Sequence, residues 1–420
     1  MKRIFPPGWF NIQSPNLEIK DFRILLITRG LLTMTLQIQA VIVGWQIYQL
    51  KKSALLLGLI GLTEAIPAIS MAFFAGHLVD IHKPTRVYRL SLLAILLNTF
   101  FIFISVIPLF NLSENLVLSI LFVGIFISGA ARAFASPSIF SLVSQIVPRS
   151  SLSSAAAFNS SVHTFAAIVG PALGGLIYGF AGAVWAFAVP CFLSLLALYM
   201  STTFSEELRN RPVISEREPL IKSIKAGMSF ILNHKVLLST MVLDMFSVLF
   251  GGVVAILPIF ADKVFNVGAE GLGFLRAAPA IGSVLVTIVL ALRPMRSISG
   301  ARLSQVILGF GICTILFALT PNYFLALFFL CLTGVFDGIS MVIRGTFMQL
   351  LTPDNMRGRV SSLSSIFITS SNEIGAFESG LAASILGLIP SVLFGGSMTL
   401  VVVALVAWIV PDLNKTVIES

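Results

Sequence analysis

Gly170-Pro171-Ala172-Leu173-Gly174-Gly175 stands inside a long apolar run, and its reading decides the fold. A proline in a membrane helix removes a backbone hydrogen bond, and three glycines leave a smooth face on which a second helix can lie close. At membrane depth such an interruption is costly unless a neighbouring helix covers it. The segment therefore belongs to a bundle of several membrane helices, and its place in the order of helices bears on what the bundle does.

The rest of the chain agrees. Apolar residues make up 57% and charged residues 11% of it, and the mean hydropathy is +0.98, well outside the range of soluble domains. A span takes about 20 mostly apolar residues. Twelve runs of that length lie between polar breaks, among them 155–180, 184–203, 236–261 and 361–387. The expected fold class is an all-α membrane protein with twelve transmembrane helices in two six-helix pseudo-symmetric bundles. Residues 1–21 have no apolar core of signal-peptide type, so a cytoplasmic N-terminal segment and a retained first helix are expected.

Charge placement sets the expected orientation. Of 27 Lys and Arg, twenty fall on one side of these spans and three (Lys51, Lys52 and Lys263) on the other. The remaining four, Arg29, Arg132, Arg276 and Arg344, fall within spans. Basic residues collect on the cytoplasmic side, which puts both termini in the cytoplasm of a multi-pass protein of the bacterial inner (plasma) membrane. The net charge of +9 is that signature, with the lipid bilayer as partner, and it needs no nucleic acid. Cys191, Cys313 and Cys331 lie within spans without CxxC spacing, which argues against a disulfide framework or a zinc site.

The longest polar stretch, 204–235, contains Glu206, Glu207, Arg209 and Arg211 and then an amphipathic segment near 220–232. It reads as a cytoplasmic linker with a helix lying on the membrane surface. It separates an N-terminal six-helix bundle, 22–203, from a C-terminal one, 236–411, which a cytoplasmic tail follows at 412–420. A constant offset of 205 pairs Pro148 with Pro353, Gly170 with Gly375 and Gly175 with Gly380. Chance in Gly/Ser-rich helices is the alternative, but the match of fifth span against eleventh favours a repeat. Parallel six-helix repeats with a solute site between them are a known transporter architecture.

On these residues the chain resembles the major facilitator superfamily. The loop after the second span, Gly76-His77-Leu78-Val79-Asp80-Ile81-His82-Lys83-Pro84-Thr85-Arg86, is similar to the superfamily's signature loop Gly-x-Leu-x-Asp-Arg-x-Gly-Arg-Arg, departing from it at Ile81 and Pro84. The resemblance implies a gating loop built on Gly76, Asp80 and Arg86, which locks the outward-open state by charge and helix-dipole contacts. Ordinary positive-inside charge is the alternative. Gly170, Pro171, Gly174 and Gly175 match the family's antiporter motif, Gly-x-x-x-Gly-Pro-x-x-Gly-Gly, which is common in exporters. That match implies a hinge-and-seal element and outward transport, against generic small-residue packing. Within the superfamily, stretches 43–48, 243–252, 271–279 and 372–380 resemble enterobactin-type siderophore exporters and the macrolide-efflux-like proteins grouped with them.

A charge at bilayer depth costs roughly 2.5–3.5 kcal/mol on insertion scales, so each one invites a functional reading. Glu64, Arg132, Asp244, Asp337, Glu373 and Glu378 are the candidates for proton coupling or translocation. Arg132, midway along the fourth span, reads equally as part of a buried ion pair or as a translocation residue. Glu64 and Arg29 lie at depths that would let them form a structural salt bridge. Asp337 and Arg344, seven apart, share a helix face. Glu373 and Glu378, five apart, sit about 140° around the helix from one another and cannot both face a cavity squarely. Glu373, beside Asn372, is the preferred group for protonation. His163 could also titrate, though a lone helical histidine more commonly packs.

No phosphate-binding loop, nucleophile elbow or metal cluster is visible, so no enzyme, cofactor or metal is expected. Energy then comes from an ion gradient or from the solute's own gradient. The expected function is secondary active transport: a proton-coupled exporter of a siderophore-like or amphipathic small molecule, working by alternating access, with protons as the coupling ion. The resemblance implies a monomer. A broad multidrug or macrolide pump, an uptake carrier and a non-transporting receptor or scaffold are the alternatives.

Overall fold

A computed structural model describes residues 15–210, 220–293, 295, 297–353, 356–411, 413 and 416–419. Most of the expected N-terminal segment, 211–219 of the linker and part of the tail lie outside the described residues. The first half consists of α1 (Lys20–Lys51), α2 (Ala54–Ile81), α3 (Pro84–Ser105), α4 (Glu114–Ile146) and α5 (Leu152–Thr202). After the amphipathic helix α6 (Leu220–Asn233) come α7 (Lys235–Phe250), α8 (Gly268–Leu292), α9 (Gly300–Leu319), α10 (Tyr323–Leu351), α11 (Arg357–Leu386) and α12 (Leu388–Ile409). A short antiparallel pair, β1 (Ser297–Ser299) with β2 (Val417–Glu419), ties the chain after α12 to the α8–α9 connection.

Local chemistry starts several of these helices. Ser53, Ser113, Ser299 and Asn322 each accept a hydrogen bond from the backbone N–H three residues on, satisfying a donor the first turn leaves free. Among the described residues, ten helical segments are long and apolar enough to cross a membrane. One of them, Ser154–Thr202, holds both the fifth and sixth expected spans. It is broken at Gly182, whose φ of 80° and ψ of 177° are open essentially to glycine alone. The helix α11, over the expected span 361–387, is more polar than these ten, and it packs along α2 and α7. With α5 divided at Gly182 and α11 added, the described residues hold helix over every expected span.

The seventh expected span, 236–261, is not one helix. The helix α7 ends at Phe250, and the chain passes through Gly251 and Gly252 into a 3-10 turn (Val253–Ile256) and then a π turn (Phe260–Val264). Neither position could carry a side chain. The Phe310 ring presses where a Cβ on Gly251 would stand, and the Gly375 carbonyl does the same at Gly252.

The repeat extends further than its first three pairs. Gly387, at the same offset of 205 from Gly182, makes the equivalent break between α11 and α12, with φ 93° and ψ 166°. A Cβ at Gly170 would stand 2.7 Å from Gln37 Cβ on α1, and one at Gly375 would stand 2.7 Å from the Leu249 carbonyl on α7. Each of these glycines therefore seats the first helix of its own half. A Cβ at Gly175 would stand 2.7 Å from Gly273 Cα on α8, and one at Gly58 would stand 2.9 Å from Gly380 Cα on α11. Gly175 and Gly380 thus serve the two crossings between halves, α5 on α8 and α2 on α11.

The cores report how the halves sit. One buried cluster draws on both halves: Val41, Trp45, Tyr48 and Leu57 with Ile256, Leu272, Phe317 and Ala383. It occupies the end that carries Lys51, Lys52 and Lys263. Toward the opposite end the cores are separate, one around Phe22, Tyr88 and Leu142, another around Leu243, Ile343 and Phe347. Outward, Phe140, Phe180, Phe324 and Trp408 are almost fully exposed, a surface that lipid rather than water would cover.

Gly175→Leu tests the α5–α8 crossing. Overpacking of this kind costs about 1–3 kcal/mol, and here it acts only on the sealed arrangement. Spin labels on Lys51→Cys and Lys263→Cys are expected to show a longer inter-label distance in the Gly175→Leu background; an unchanged distance would mean the crossing does not hold the halves together.

Candidate functional site

Helices α1, α2 and α4 of the first half face α8 to α11 and the Gly251–Pro258 passage of the second across a cavity of about 560 Å³. That volume lies in the range that encloses small organic ligands. Val43, Ile60, Phe310 and Leu330 supply apolar wall, and Gln39, Ser128, Thr314, Thr333 and Asn372 supply polar groups. The charged lining residues are Glu64, Arg132, Arg276, Asp337 and Glu373. Phe310 of α9 is the aromatic surface that sequence could not single out among 35 phenylalanines, whereas Phe317 stands behind the wall, fully buried against Phe260.

Glycine contacts bring the charges together. A Cβ on Gly129 of α4 would meet the carbonyl of Glu64 at 2.6 Å, and one on Gly61 of α2 would meet the carbonyl of Glu373 at 2.6 Å. Arg132 stands one turn beyond Gly129, and Glu64 one turn beyond Gly61, so each lies on the same face as the close contact. The result is a bridge. Arg132 Nη1 lies 3.0 Å from Glu64 Oε1, and Arg132 Nη2 donates to Glu373 Oε1 at 2.7 Å. Glu64 belongs to the same half as Arg132, and Glu373 belongs to the other. Arg276 completes the group from α8: Glu64 and Glu373 act on it electrostatically, and its buried Nε has no hydrogen-bond partner.

The other sequence candidates are placed as follows. Asp337 lines the cavity, with Arg344 Nη2 at 3.9 Å from its Oδ1. Asp244 does not line it. Asp244 ion-pairs with Arg344 Nη1 beside a smaller pocket among Met241, Met245, Met341 and Met348. Glu378 also lies away from the cavity, accepting from its neighbour Ser379 Oγ at 3.4 Å, as the 140° separation from Glu373 requires. The expected Arg29–Glu64 pair does not form. Glu64 is taken by Arg132, and Arg29 sits by Tyr88 and His163 with its Nε unpaired. Gly76 and Asp80 fall on the last turns of α2, with side chains outside the described set, and Arg86 is exposed on the first turn of α3.

Sequence reasoning missed a cluster at the sealed end. Asp262 Oδ2 accepts from Tyr48 Oη and from Lys52 Nζ, each at 3.0 Å, and Lys52 Nζ stands 4.6 Å from the Tyr48 ring centroid. Tyr48 and Lys52 belong to the first half and Asp262 to the second. The signal was available only as a basic residue on the poorly charged side; Asp262 itself sits on the π turn, which no pattern announced.

Comparisons with known proteins agree with this architecture. The model of the Major Facilitator Superfamily matches residues 25–376. The chain is 24% identical over 398 residues to the enterobactin exporter EntS of Shigella boydii serotype 4 (strain Sb227), covering 94% of this chain and 92% of the relative. It is 23% identical, over the same shares, to EntS of Escherichia coli O81 (strain ED1a). Among solved structures, a bacterial homologue of the human lysosomal transporter Spinster, inward-facing and unoccupied, superposes with a TM-score of 0.73 at 17% identity, covering 94% of this chain and 98% of that one. A POT family transporter in complex with a thioalcohol-conjugated peptide does so at 0.72 and 12% identity, covering 94% and 96%. The structural likeness speaks for the fold.

Arg132→Gln would leave two carboxylates facing each other without a counter-charge. Breaking a buried pair in this way costs about 3–5 kcal/mol, and the low end applies because the cavity admits water. A clear fall in Tm of the purified protein is expected, and adding Glu373→Gln should recover most of it, since the two sites couple. Additive losses in the double variant would contradict the bridge.

Proposed function

This chain belongs to the Major Facilitator Superfamily, and from that premise we propose that it is a proton-coupled exporter. It moves a siderophore-like, amphipathic small molecule outward across the bacterial inner membrane by alternating access. Its multi-pass membrane character and its role as a transporter rather than an enzyme follow from the family. Residues 22–203 and 236–411 are the two bodies that rock, 204–235 links them in the cytoplasm, both termini are cytoplasmic, and the protein acts as a monomer.

The observation that carries the coupling is the Arg132 bridge, which spans both halves inside the cavity. An ionised Glu373 is held across the gap by Arg132. A proton on Glu373 removes its charge, so the tie between the halves weakens at the centre of the molecule. Proton occupancy therefore biases which arrangement of the two bodies is favoured, which is the requirement for driving one solute with another. Asp337 and Asp244, held by Arg344, are the secondary carboxylates. With the basic residues placed inside, the sealed end faces out and the cavity faces the cytoplasm, the arrangement in which an exporter loads. The signature loop, through Gly76, Asp80 and Arg86, and the antiporter element, through Gly170, Pro171, Gly174 and Gly175, are the gating parts.

The cargo reading is supported by the relatives, which are named as enterobactin exporters and match along nearly the whole chain. A broad drug pump is the second reading, favoured by the half-exposed carboxylate of Asp337, which would suit an organic cation.

Everted membrane vesicles test both. Enterobactin is expected to accumulate under an acid-inside gradient, and the accumulation should vanish when the gradient is collapsed. Glu373→Gln should lower gradient-driven accumulation at least 10-fold while leaving exchange of cargo for cargo measurable. Accumulation that ignores the gradient would remove the coupling, and normal siderophore secretion with lost drug resistance in a deletion strain would favour the pump.

A further inference from the structure

Four carboxylates within the spans each face an arginine: Glu64 and Glu373 share Arg132, and Asp244 and Asp337 share Arg344. Among the described residues, no cation pairs with Glu378. Its one polar contact there is the 3.4 Å bond that Oε2 accepts from Ser379 Oγ. Its Oε1 has no partner and is not buried.

The helix decides where this carboxyl points. Asn372, Glu373 and Ala376 of α11 line the cavity. Glu378, two residues past Ala376, stands about 160° around the helix from it and so faces away from the cavity. It shares its face with Ile374, Leu381 and Ile385, which follow the i, i+4, i+7, i+11 spacing of one helical stripe. Those three side chains are 41%, 37% and 72% exposed, so the stripe is left open to lipid.

Depth sharpens the point. Glu378 lies eight residues before the end of α11 at Leu386. At 1.5 Å per residue that is about 12 Å, and half of the hydrocarbon layer is about 15 Å. The carboxyl therefore sits near the middle of the bilayer on its lipid side, where charged groups are rarely left without a partner.

The adjacent helix adds to it. The chain turns back at Gly387, so Phe394 and Ser397, seven and ten residues past the turn, stand level with Glu378, nine before it. Both are exposed, and the Phe394 ring is crossed with that of Phe250. A carboxylate, a hydroxyl and an aromatic ring at one level are groups that recognise an alkylammonium: two acceptors and a π face.

We infer that Glu378 is the anionic contact of a site for a lipid-soluble cation on the membrane side of α11 and α12. Its ligand is a protonated amine on an apolar body, and it arrives from the bilayer rather than through the cavity. Charge complementarity selects this occupant, because a neutral lipid chain would leave the carboxylate without a counter-charge. The site is separate from the cavity and stands whichever cargo the cavity carries.

Carbodiimide labelling of the full chain in phosphatidylcholine nanodiscs, one chain per disc, tests the site, with peptide mass spectrometry as the readout. The carboxyl proton passes to a carbodiimide nitrogen, a carboxyl oxygen adds to the central carbon, and an O-to-N shift fixes the N-acylurea with nothing leaving. Lipid-soluble dicyclohexylcarbodiimide is expected to label Glu378 about 10-fold faster than a permanently charged, water-soluble carbodiimide does. N,N-dimethyldodecylamine should slow that labelling about 5-fold, and dodecan-1-ol should not. The amine should also raise the Tm of the wild-type chain and not that of Glu378→Gln, while dodecan-1-ol acts on both alike as a check on folding. Equal labelling by the two reagents would overturn the lipid-facing placement. Equal protection by the amine and the alcohol would overturn the recognition of charge. Labelling that falls when two chains share a disc, with no amine present, would overturn the inference in favour of contact between copies of this chain.

Discussion

In lipid, apolar side chains gain little by leaving the acyl chains for a neighbouring helix, so association depends on close packing and on polar contacts. The two halves of this protein meet on those terms. Backbone touches backbone where α5 crosses α8 at Gly175 and Gly273, and where α2 crosses α11 at Gly58 and Gly380. Such contacts are short-ranged and are lost over a small separation. In this structure one buried cluster is shared by both halves at one end, and the cores are separate toward the other.

The glycine contacts also assemble the chemistry. Gly129 lets α2 reach α4 and Gly61 lets α11 reach α2, and Glu64, Arg132 and Glu373 follow one turn away or at the contact itself. A side chain at either glycine would push the charges out of reach of one another. Packing and electrostatics are therefore a single arrangement here. The buried charges are tolerable because each meets an opposite charge from another helix, and that mutual dependence makes them sensitive to how the helices sit. At the sealed end, Tyr48, Lys52 and Asp262 repeat the principle near the surface, where exposure leaves a lone ion pair worth little and the aromatic ring adds to it.

Much of the fold was legible residue by residue. The offset of 205 found from Pro148, Gly170 and Gly175 survives in three dimensions and extends to Gly182 and Gly387, a pair hidden in the sequence because a glycine's φ is not written there. The seventh span is interrupted at Gly251 and Gly252, where Phe310 and Gly375, distant in sequence, leave no room for a side chain. Among the charges, periodicity correctly set Glu378 apart from Glu373, since helical geometry alone decides that. Depth along a helix did not predict that Arg29 and Glu64 stay apart, because depth says nothing about rotation or about the competing Arg132.

What the sequence by itself determined was everything that follows from transfer between water and lipid and from local periodicity: the apolar segments, the two related halves, and the identity of the charges buried among them. Those are properties of segments, and each segment carries its own free energy of insertion. Only the tertiary structure decided which charges are partners, that Arg132 spans the halves, that Asp244 belongs to a cluster outside the cavity, and that Arg276 is left with an open hydrogen bond. Pairing depends on distances of a few ångströms between helices remote in sequence, and small residues set those distances by what they leave empty.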